Sequence, residues 1–255
     1  MPTPDAAMPA PDQGAASGKP PPPRVAELLD QLADAAWAGY GLGAVPAGIT
    51  GRFGLDALTV NATVPGDLVE LVWCDPSDGL GPELEDLQFA LGDGPTVQAA
   101  RQGTALTESD LAATDPTYWP AFLAAVALTP ARAVIAVPLQ VGDATIGALT
   151  GYRTTLGAPT AVQQYGLRRM APSLALMMLN STTPTSGRET EPGLALVLYR
   201  AEIHQATGFL SEALGIPLGE ALLRLRAHAT TREEPLIGVA RSLLARRLPA
   251  GALDT

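Results

Sequence analysis

The chain has 255 residues, a net charge of −10 and 47% hydrophobic residues, which is enough to bury one large core or two modest ones. No stretch reaches the roughly 18–20 uncharged apolar residues of a membrane span, and the first residues lack the basic and apolar regions of a signal peptide. The one cysteine, Cys74, excludes an internal disulfide framework and fits a reducing compartment. We therefore expect a cytoplasmic protein that does not enter a membrane.

The first part of the chain predicts a tail, two helices and a hairpin. Residues 1–23 are rich in proline and alanine and predict a disordered tail. Apolar residues recur at helical spacing over 25–39, and a second, short helix is expected near 45–53. Segments 55–64 and 67–74 alternate apolar and polar residues around Pro65-Gly66, the pattern of a β-hairpin.

A stiff break follows at Gly92-Asp93-Gly94-Pro95, between two helical runs. Such a turn could present N–H groups to a phosphate, border a ligand or simply change the direction of the chain. Asp93 would repel a phosphate, and Pro95 removes one donor. We therefore interpret the segment as a helix junction, with glycine ending the first helix and proline beginning the second.

The next elements complete an α+β domain over residues 24–180. They are a short strand at 105–107, a helix at 119–128, a second hairpin at 132–141 and 144–153, and a helix at 158–180. The predicted fold class is α+β, with a mostly antiparallel sheet flanked by helices. Residues 181–191 are polar, contain proline and glycine, and predict a linker.

Residues 192–248 predict an all-α domain of three helices, followed by a tail at 249–255. The second helix is expected at 219–229, and the third begins either with a capping box of Thr231 and Glu234 or with Pro235 as its first residue. A bundle this small gains stability from a dimer partner. The first helix carries apolar residues at alternating spacings of three and four, a heptad-like seam that predicts a homodimer: Leu196, Tyr199, Ile203, Ala206, Leu210 and Ala213.

The charge is unevenly divided between the two parts. Between residues 199 and 248 there are seven arginines against five glutamates, a net charge of +2, while the remainder of the chain carries −12. Both histidines, His204 and His228, lie in the same segment. Such asymmetry indicates different partners for the two parts, although a basic helical segment that merely balances an acidic body would look the same.

Two segments carry a family resemblance. The first resembles the GAF domains of actinobacterial GAF–ANTAR regulators, and the resemblance rests on Leu87-Gln88, Leu91-Gly92-Asp93-Gly94-Pro95, Ala99, Gly103 and Asp110-Leu111. The second resembles the ANTAR domain, an RNA-binding module of three helices. This resemblance rests on the run 200–210 and on Glu220-Ala221, Leu225-Arg226, Ala229, Leu236 and Val239-Ala240. Two positions depart from the pattern: Thr96 stands where this GAF group often has cysteine, and Thr207 where ANTAR domains often have lysine.

The resemblance implies a signal-responsive transcription antiterminator that binds paired RNA hairpins as a dimer. Binding RNA requires cations for phosphates and planar groups for unstacked bases, and arginine offers both. The candidate RNA-binding residues are Arg200, His204, Gln205, Arg224, Arg226, His228, Arg241 and Arg247, with Arg246 beside them.

The GAF resemblance also implies a pocket for an unidentified small-molecule or protein signal. The candidate lining residues, which could equally be core, are Trp73, Phe89, Leu91, Tyr118, Trp119 and Phe122. A buried, structural Cys74 is favoured over a redox role, because no cation stands beside it in the sequence to lower the pKa of its thiol.

Catalysis is not expected. The sequence has no GxxxxGK[ST] or HExxH motif and no cysteine–histidine cluster with metal spacing, so we predict no enzyme activity, metal or cofactor. Two alternatives to an RNA-binding regulator remain open. One is a regulator that senses a ligand and uses its helical segment only for dimerisation or for docking a protein. The other is a GAF-type enzyme or redox sensor.

Overall fold

The computed structural model describes residues 25–65, 68–182 and 200–254. In chain order the elements of the first part are α1 (Val25–Trp37), β1 (Ala57–Val64), β2 (Leu68–Asp75), α2 (Leu80–Leu91), α3 (Pro95–Gln102), β3 (Leu106–Glu108), α4 (Pro120–Val126), β4 (Ala133–Val141), β5 (Ala144–Arg153) and α5 (Ala161–Thr182). The C-terminal helices are α6 (Ala201–Leu214), α7 (Leu218–Arg232) and α8 (Leu236–Leu244).

The five strands form one antiparallel sheet in the order β2-β1-β5-β4-β3. Successive side chains of a strand face opposite sides of the sheet, and here each side has its own helical layer. On one side Leu58, Val60 and Leu149 pack with α1 and α5. On the other side Ala57, Val134 and Tyr152 pack against α2 and α4. The predicted α+β fold, with its antiparallel sheet flanked by helices, is confirmed.

Several predicted boundaries differ from the structure. The expected helix at 45–53 is replaced by two 3-10 turns, Leu42–Ala44 and Thr50–Phe53. The last turn of α7 continues to Arg232, after which Glu233 adopts a left-handed φ of 53°. Pro235 is the residue before α8 rather than its first residue, and Thr231 lies inside α7, so neither predicted start of the third helix was correct.

The three C-terminal helices enclose a small core of their own. Ile203, Leu210, Leu222, Leu225 and Val239 are buried there, together with small residues that allow the helices to approach closely. The segment expected to be a tail contains a 3-10 turn, Ala250–Leu253, whose last residue is buried in this core. The same cluster includes Leu68 of β2 and Phe89 of α2, so the helical unit also packs against the α+β domain.

Within the described residues, no helix is long and apolar enough to cross a membrane.

Candidate functional site

Helix α2 presents two different faces to two different parts of the molecule. Residues three apart on a helix lie on the same face, so Glu85 and Gln88 share one face and Asp86 and Phe89 share another. Glu85 and Gln88 point into the α+β domain, where both are buried. Asp86 and Phe89 contact the C-terminal helices. The helix therefore connects the interior of the first domain to the second.

The interior face of α2 lies in a buried hydrogen-bond cluster. Glu85 Oε1 accepts hydrogen bonds from the hydroxyls of Tyr152 at 2.6 Å, Thr59 at 2.7 Å and Thr96 at 3.0 Å. Gln88 Nε2 donates to the Tyr152 hydroxyl at 2.6 Å and to Thr96 Oγ1 at 3.0 Å, while its oxygen accepts from the Thr96 amide at 2.8 Å. Thr96, where the resembled GAF group often has cysteine, thus occupies the centre of the cluster.

Burial dominates the electrostatics of this cluster. It raises the pKa of Glu85, against the opposing effects of hydrogen bonds from Tyr152, Thr59 and Thr96 and of the charge of Arg200. Burial also raises the pKa of Tyr152 well above its usual value, with the Glu85 carboxyl adding to the shift. A buried carboxyl is tolerated only when its oxygens are hydrogen-bonded, so these polar residues fix α2 and the start of α3 against the sheet.

The outer face of α2 holds an ion-pair cluster with the first C-terminal helix. Arg200, only 3% exposed, lies 3.2 Å from Glu70 Oε2 on β2 and 2.6 Å from Asp86 Oδ1. His204 Nε2 is 3.1 Å from Glu70 Oε1, close enough for an ion pair but without the geometry of a hydrogen bond. We call this contact, together with Phe89 and Arg226, the closed contact.

Phe89 provides the apolar centre of the closed contact. The Arg200 guanidinium lies 4.2 Å from the centroid of its ring and that of Arg226 lies 5.2 Å away, both within the range of a cation–π interaction. The His204 ring meets Phe89 edge-on, with centroids 6.1 Å apart. Three residues predicted to bind RNA thus converge on one aromatic ring of the other domain.

Arg226 is poorly accommodated in the closed contact. Its Nε is buried without a hydrogen-bond partner among the described residues. Burial lowers the pKa of its guanidinium to about 10, with the charges of Arg101 and Arg200 adding to the fall against the opposing effect of Glu70. A largely covered cation near two like charges destabilises the arrangement that covers it. The closed contact is therefore stabilised by the ion pairs of Arg200 and destabilised by Arg226.

The other predicted RNA-binding residues lie away from the closed contact. Arg224 pairs with Glu220 and Asp254, each at 2.6 Å, and Arg241 pairs with Glu202 at 2.8 Å. On α7, Arg224, His228 and Arg232 follow one another at intervals of four and line a groove of about 520 Å³ beside Leu253. Gln205, Arg246 and Arg247 are exposed.

The predicted dimer seam is only partly described. Leu196 and Tyr199 lie outside the described residues. Ile203, Ala206 and Leu210 are buried in the intrachain core, and Ala213 is exposed. In this arrangement the buried members face α7 and α8 and are not available to a second chain.

The six residues predicted to line a ligand pocket do not meet in one place. Trp73 packs on the α1–α5 side of the sheet, and Phe89 faces the C-terminal helices. Leu91, Trp119 and Phe122 share a cluster with α2 and α4, and Tyr118 is 61% exposed. The buried polar cluster around Thr96, which no sequence motif indicated, occupies the interior instead.

The Gly92–Pro95 segment joins α2 to α3 as predicted. Gly92 and Gly94 have φ angles of 69° and 133°, which favour glycine, and Pro95 begins α3. The Asp93 carboxylate accepts hydrogen bonds from the amides of Ala121 and Phe122 at 3.2 and 3.3 Å, in the first turn of α4. The turn therefore ties three helices together, and its carboxylate is already engaged.

Cys74 is half-buried and unsuited to thiolate chemistry. Burial, followed by the charges of Asp75, Glu85 and Asp78, raises the pKa of its thiol to about 11. We expect iodoacetamide to alkylate Cys74 at pH 7.5 about 10- to 100-fold more slowly than free cysteine, since the thiolate is the reactive form. Mass spectrometry of timed samples measures this rate, and a rate equal to that of free cysteine would contradict the assignment.

The described residues contain no group of three or more histidine, cysteine, aspartate or glutamate side chains arranged to hold a metal ion.

Comparison with known proteins finds similarity at the level of structure. The sequence matches no protein-family model and no curated protein. The GAF domain of an Acinetobacter phosphoenolpyruvate-protein phosphotransferase is similar at 8% identity and a TM-score of 0.46, over 64% of this chain and 97% of that one. The corresponding GAF domain from Coxiella burnetii shares 13% identity, with a TM-score of 0.44, over 62% and 94% of the two chains.

A third similar structure is the free methionine-R-sulfoxide reductase from Neisseria meningitidis, determined with its substrate. It shares 19% identity at a TM-score of 0.44, over 61% of this chain and 89% of that one. At these identities and TM-scores the likeness is one of general fold alone and carries no statement about function. The resemblance of the C-terminal helices to an ANTAR domain stays a prediction.

Proposed function

We propose that this protein is a cytoplasmic, signal-responsive RNA-binding regulator, in which the α+β domain is the sensor and α6–α8 are the output. The observation that carries the proposal is the groove on α7, where Arg224, His228 and Arg232 lie along one wall. Cations and planar side chains beside a groove match what recognition of an unpaired loop in an RNA hairpin requires.

The helical core supports this role for the C-terminal unit. The small residues that carry the ANTAR resemblance, Ala206, Ala221, Ala229 and Ala240, are all buried between the helices. They therefore determine how the helices pack, and the arginines lie on the surface that this packing creates. Thr207, which stands where ANTAR domains often have lysine, is also buried and donates a hydrogen bond to the Ile203 carbonyl at 2.8 Å, so it belongs to the packing between the helices.

The closed contact supplies a means of control. It buries Arg200 and covers part of Arg226 against β2 and α2, so Arg200 cannot reach a phosphate while the contact holds. A signal that binds the open form better than the closed form shifts the population towards open. In the open form both arginines become accessible to phosphates, and two protomers each hold one RNA hairpin. Holding the hairpins prevents formation of a terminator.

We also infer that the protein acts by binding rather than by catalysis. Thiol chemistry is disfavoured by the raised pKa of Cys74, the only cysteine. The reaction of the similar methionine sulfoxide reductase belongs to that protein. The signal itself is not specified by the buried cluster, whose polar groups are already paired with one another.

The RNA-binding proposal is tested on the surface cations of α7. The double variant Arg224→Gln/Arg232→Gln removes two groove cations, and Arg168→Gln removes an exposed cation from α5 as the control. We expect the double variant to weaken binding to RNA hairpins with randomised loops, and to reduce the slope of log K against log salt by about 1 to 2. The control should change neither quantity.

Fluorescence anisotropy at several salt concentrations measures both quantities. If the chain binds no RNA hairpin with the closed contact either intact or opened, or if the double variant binds as tightly as the wild type, RNA recognition by this groove is excluded. Read-through of a terminator placed after the selected hairpin then tests the antitermination step.

A second candidate is a regulator whose output helices dock a protein and bind no RNA. It is favoured by the pairing of Arg200, Arg224 and Arg241 with carboxylates of the same chain. Leu223 is 62% exposed and borders the same groove, which offers an apolar contact. Absence of any salt-dependent RNA binding by the opened protein would favour this candidate.

A further inference from the structure

Two arginines meet at the Gly92–Pro95 turn, one from each domain. Arg101, in the last turn of α3, is exposed, and its Nη1 donates a long hydrogen bond of 3.5 Å to the Gly92 carbonyl. Arg226, on α7, lies so close that a Cβ added at Gly92 would be 2.9 Å from its Nη1. Both guanidinium groups therefore border one glycine, with their Nη1 atoms less than about 10 Å apart.

The carboxylates of the closed contact do not compensate these two cations. Glu70 and Asp86 are its acidic residues, and both are paired with Arg200. Neither Arg101 nor Arg226 forms an ion pair within residues 25–65, 68–182 and 200–254. Like charges at this separation repel each other, so the junction of the two domains carries two positive charges that the described residues leave unpaired.

The Arg226 guanidinium is the least satisfied group at this junction. Among the described residues its Nε is buried without a hydrogen-bond partner. Burial lowers its pKa to about 10, and the charge of Arg101 contributes more to this fall than any other charge. The Asp93 carboxylate of the same turn is bonded to two amides of α4. An oxyanion beside Arg226 would supply the negative charge and the acceptors that this junction lacks.

We propose that Arg101 and Arg226, on either side of Gly92, bind a small ligand that carries a phosphate group. A phosphate monoester has a charge of about −1.5 to −2 at pH 7 and three acceptor oxygens. It therefore matches two guanidinium groups, each of which forms forked hydrogen bonds with phosphate. A carboxylate has a single negative charge and compensates only one arginine. Because Arg101 is exposed, the ligand enters from solvent and this side chain adjusts around it.

The ligand would hold the closed contact together. Arg101 belongs to the α+β domain and Arg226 to the helical unit, so a phosphate bound to both bridges the domains. It binds the closed form better than an open form in which Arg226 has left Gly92, and it shifts the population towards closed. The ligand is then a negative effector of RNA binding, a consequence that rests on the proposed function.

Titration of the full chain with inorganic phosphate and with pyrophosphate tests the site. Sodium chloride keeps the ionic strength constant, and isothermal titration calorimetry measures the affinity. We expect Arg101→Gln and Arg226→Gln each to raise the dissociation constant about tenfold or more. Acetate, a monoanion, should bind the wild-type chain about tenfold more weakly than phosphate.

Two matched controls remove arginines elsewhere. Arg168→Gln changes an exposed arginine of α5, and Arg224→Gln/Arg232→Gln changes the groove on α7. Both should leave the phosphate affinity unchanged. Arg101→Gln alters an exposed side chain outside the closed contact, so circular dichroism without phosphate should show the helix content and melting of the wild type.

Hydrogen exchange places the bound anion in the molecule. Phosphate should slow the exchange of amides in the Gly92–Pro95 turn and in α7 around Arg226, and leave the α1–α5 side unchanged. A wild-type chain that binds neither anion at about 10 mM, or an affinity that Arg101→Gln does not reduce, would overturn the proposal. Acetate binding as tight as phosphate binding would refute the assignment of a phosphate ligand.

RNA measurements separate this site from the proposed function. Saturating phosphate should weaken hairpin binding by the wild type about fivefold or more, beyond the effect of chloride at equal ionic strength. The Arg101→Gln chain should not respond, and without phosphate it should bind RNA as the wild type does. Phosphate binding by a chain that binds no RNA would remove the proposed function and keep the site. RNA binding by a chain that binds no phosphate would do the reverse.

Discussion

Replacing Glu70 and Asp86 by Gln and Asn should open the closed contact and increase RNA affinity. The two carboxylates are the ion-pair partners of Arg200, which is almost fully buried. Removing the partners of a buried charge costs about 3–5 kcal/mol, and the chain avoids this cost by returning Arg200 to water. Opening also releases Arg226 from a buried position in which its Nε has no partner.

The expected gain is at least tenfold in RNA affinity. If the open form is the binding-competent state, the apparent dissociation constant falls in proportion to the open fraction, and tenfold corresponds to about 1.4 kcal/mol. A free-energy shift of this size is smaller than the cost of removing the two carboxylate partners of Arg200. A tenfold gain in affinity is therefore expected even if some wild-type chains are already open. Asp78→Asn/Glu83→Gln, at two exposed carboxylates, is the matched control for the change of two in net charge.

Hydrogen exchange separates the opening from its consequence for RNA. In the open variant, amides of α2 near Phe89 and of α6 near His204 should exchange faster, while those of the α1–α5 side should not change. Faster exchange without stronger RNA binding would establish the contact but remove its role in controlling RNA. Unchanged exchange would show that Glu70 and Asp86 do not hold the two units together.

Local sequence patterns predicted most of the elements, because their determinants lie within a few residues. The turn at Gly92–Pro95 was assigned correctly because glycine at positive φ and proline at a first helical position have local causes. The error at the third helix of the output unit has a local cause too. The capping box of Thr231 and Glu234 does not form, because α7 continues to Arg232 and the chain turns at Glu233, whose φ is 53°.

The closed contact had no local signal. Arg200 was predicted to be functional from its residue type, but its partners Glu70 and Asp86 lie 130 and 114 residues away in the sequence. A single sequence does not indicate which distant carboxylate an arginine contacts. The only sequence pattern at this contact is the i, i+3 spacing on α2, which places Glu85 with Gln88 and Asp86 with Phe89. It shows merely that the helix has two faces.

The residues predicted to line a ligand pocket lie apart for a related reason. Aromatic residues were grouped by type, although the side of the sheet is set by strand parity and helix phase. Trp73 and Phe89 therefore belong to different hydrophobic clusters. The interior is filled by Thr96, Gln88 and Tyr152. Their polar side chains can be buried because they form hydrogen bonds with one another.

The second large effect is expected at the hydroxyl of Tyr152. Tyr152→Phe keeps the ring but removes the group that donates to Glu85 at 2.6 Å and accepts from Gln88 at 2.6 Å. Removing one partner of a buried hydrogen bond costs about 1–3 kcal/mol, and Gln88 loses one partner as well. Urea denaturation at pH 7 should show this fall in the free energy of unfolding, whereas Tyr165→Phe, at an exposed tyrosine of α5, should leave it within about 0.5 kcal/mol.

Glu85→Gln gives the pH dependence of the same cluster. Burial raises the pKa of Glu85 in the folded protein above its ordinary value of 4.5, so the folded state holds this proton more strongly than the unfolded state. The contribution of Glu85 to stability is therefore greatest below pH 4.5 and falls as the pH rises through the folded pKa. The free energy of unfolding of Glu85→Gln, relative to wild type, should consequently increase between pH 4.5 and pH 8.

Comparison with the wild type at each pH removes the contribution of the other carboxylates, which titrate alike in both proteins. A relative stability that falls with rising pH would mean that hydrogen bonds from Tyr152, Thr59 and Thr96 outweigh burial and lower the Glu85 pKa. The interior face of α2 would then carry a stabilised anion.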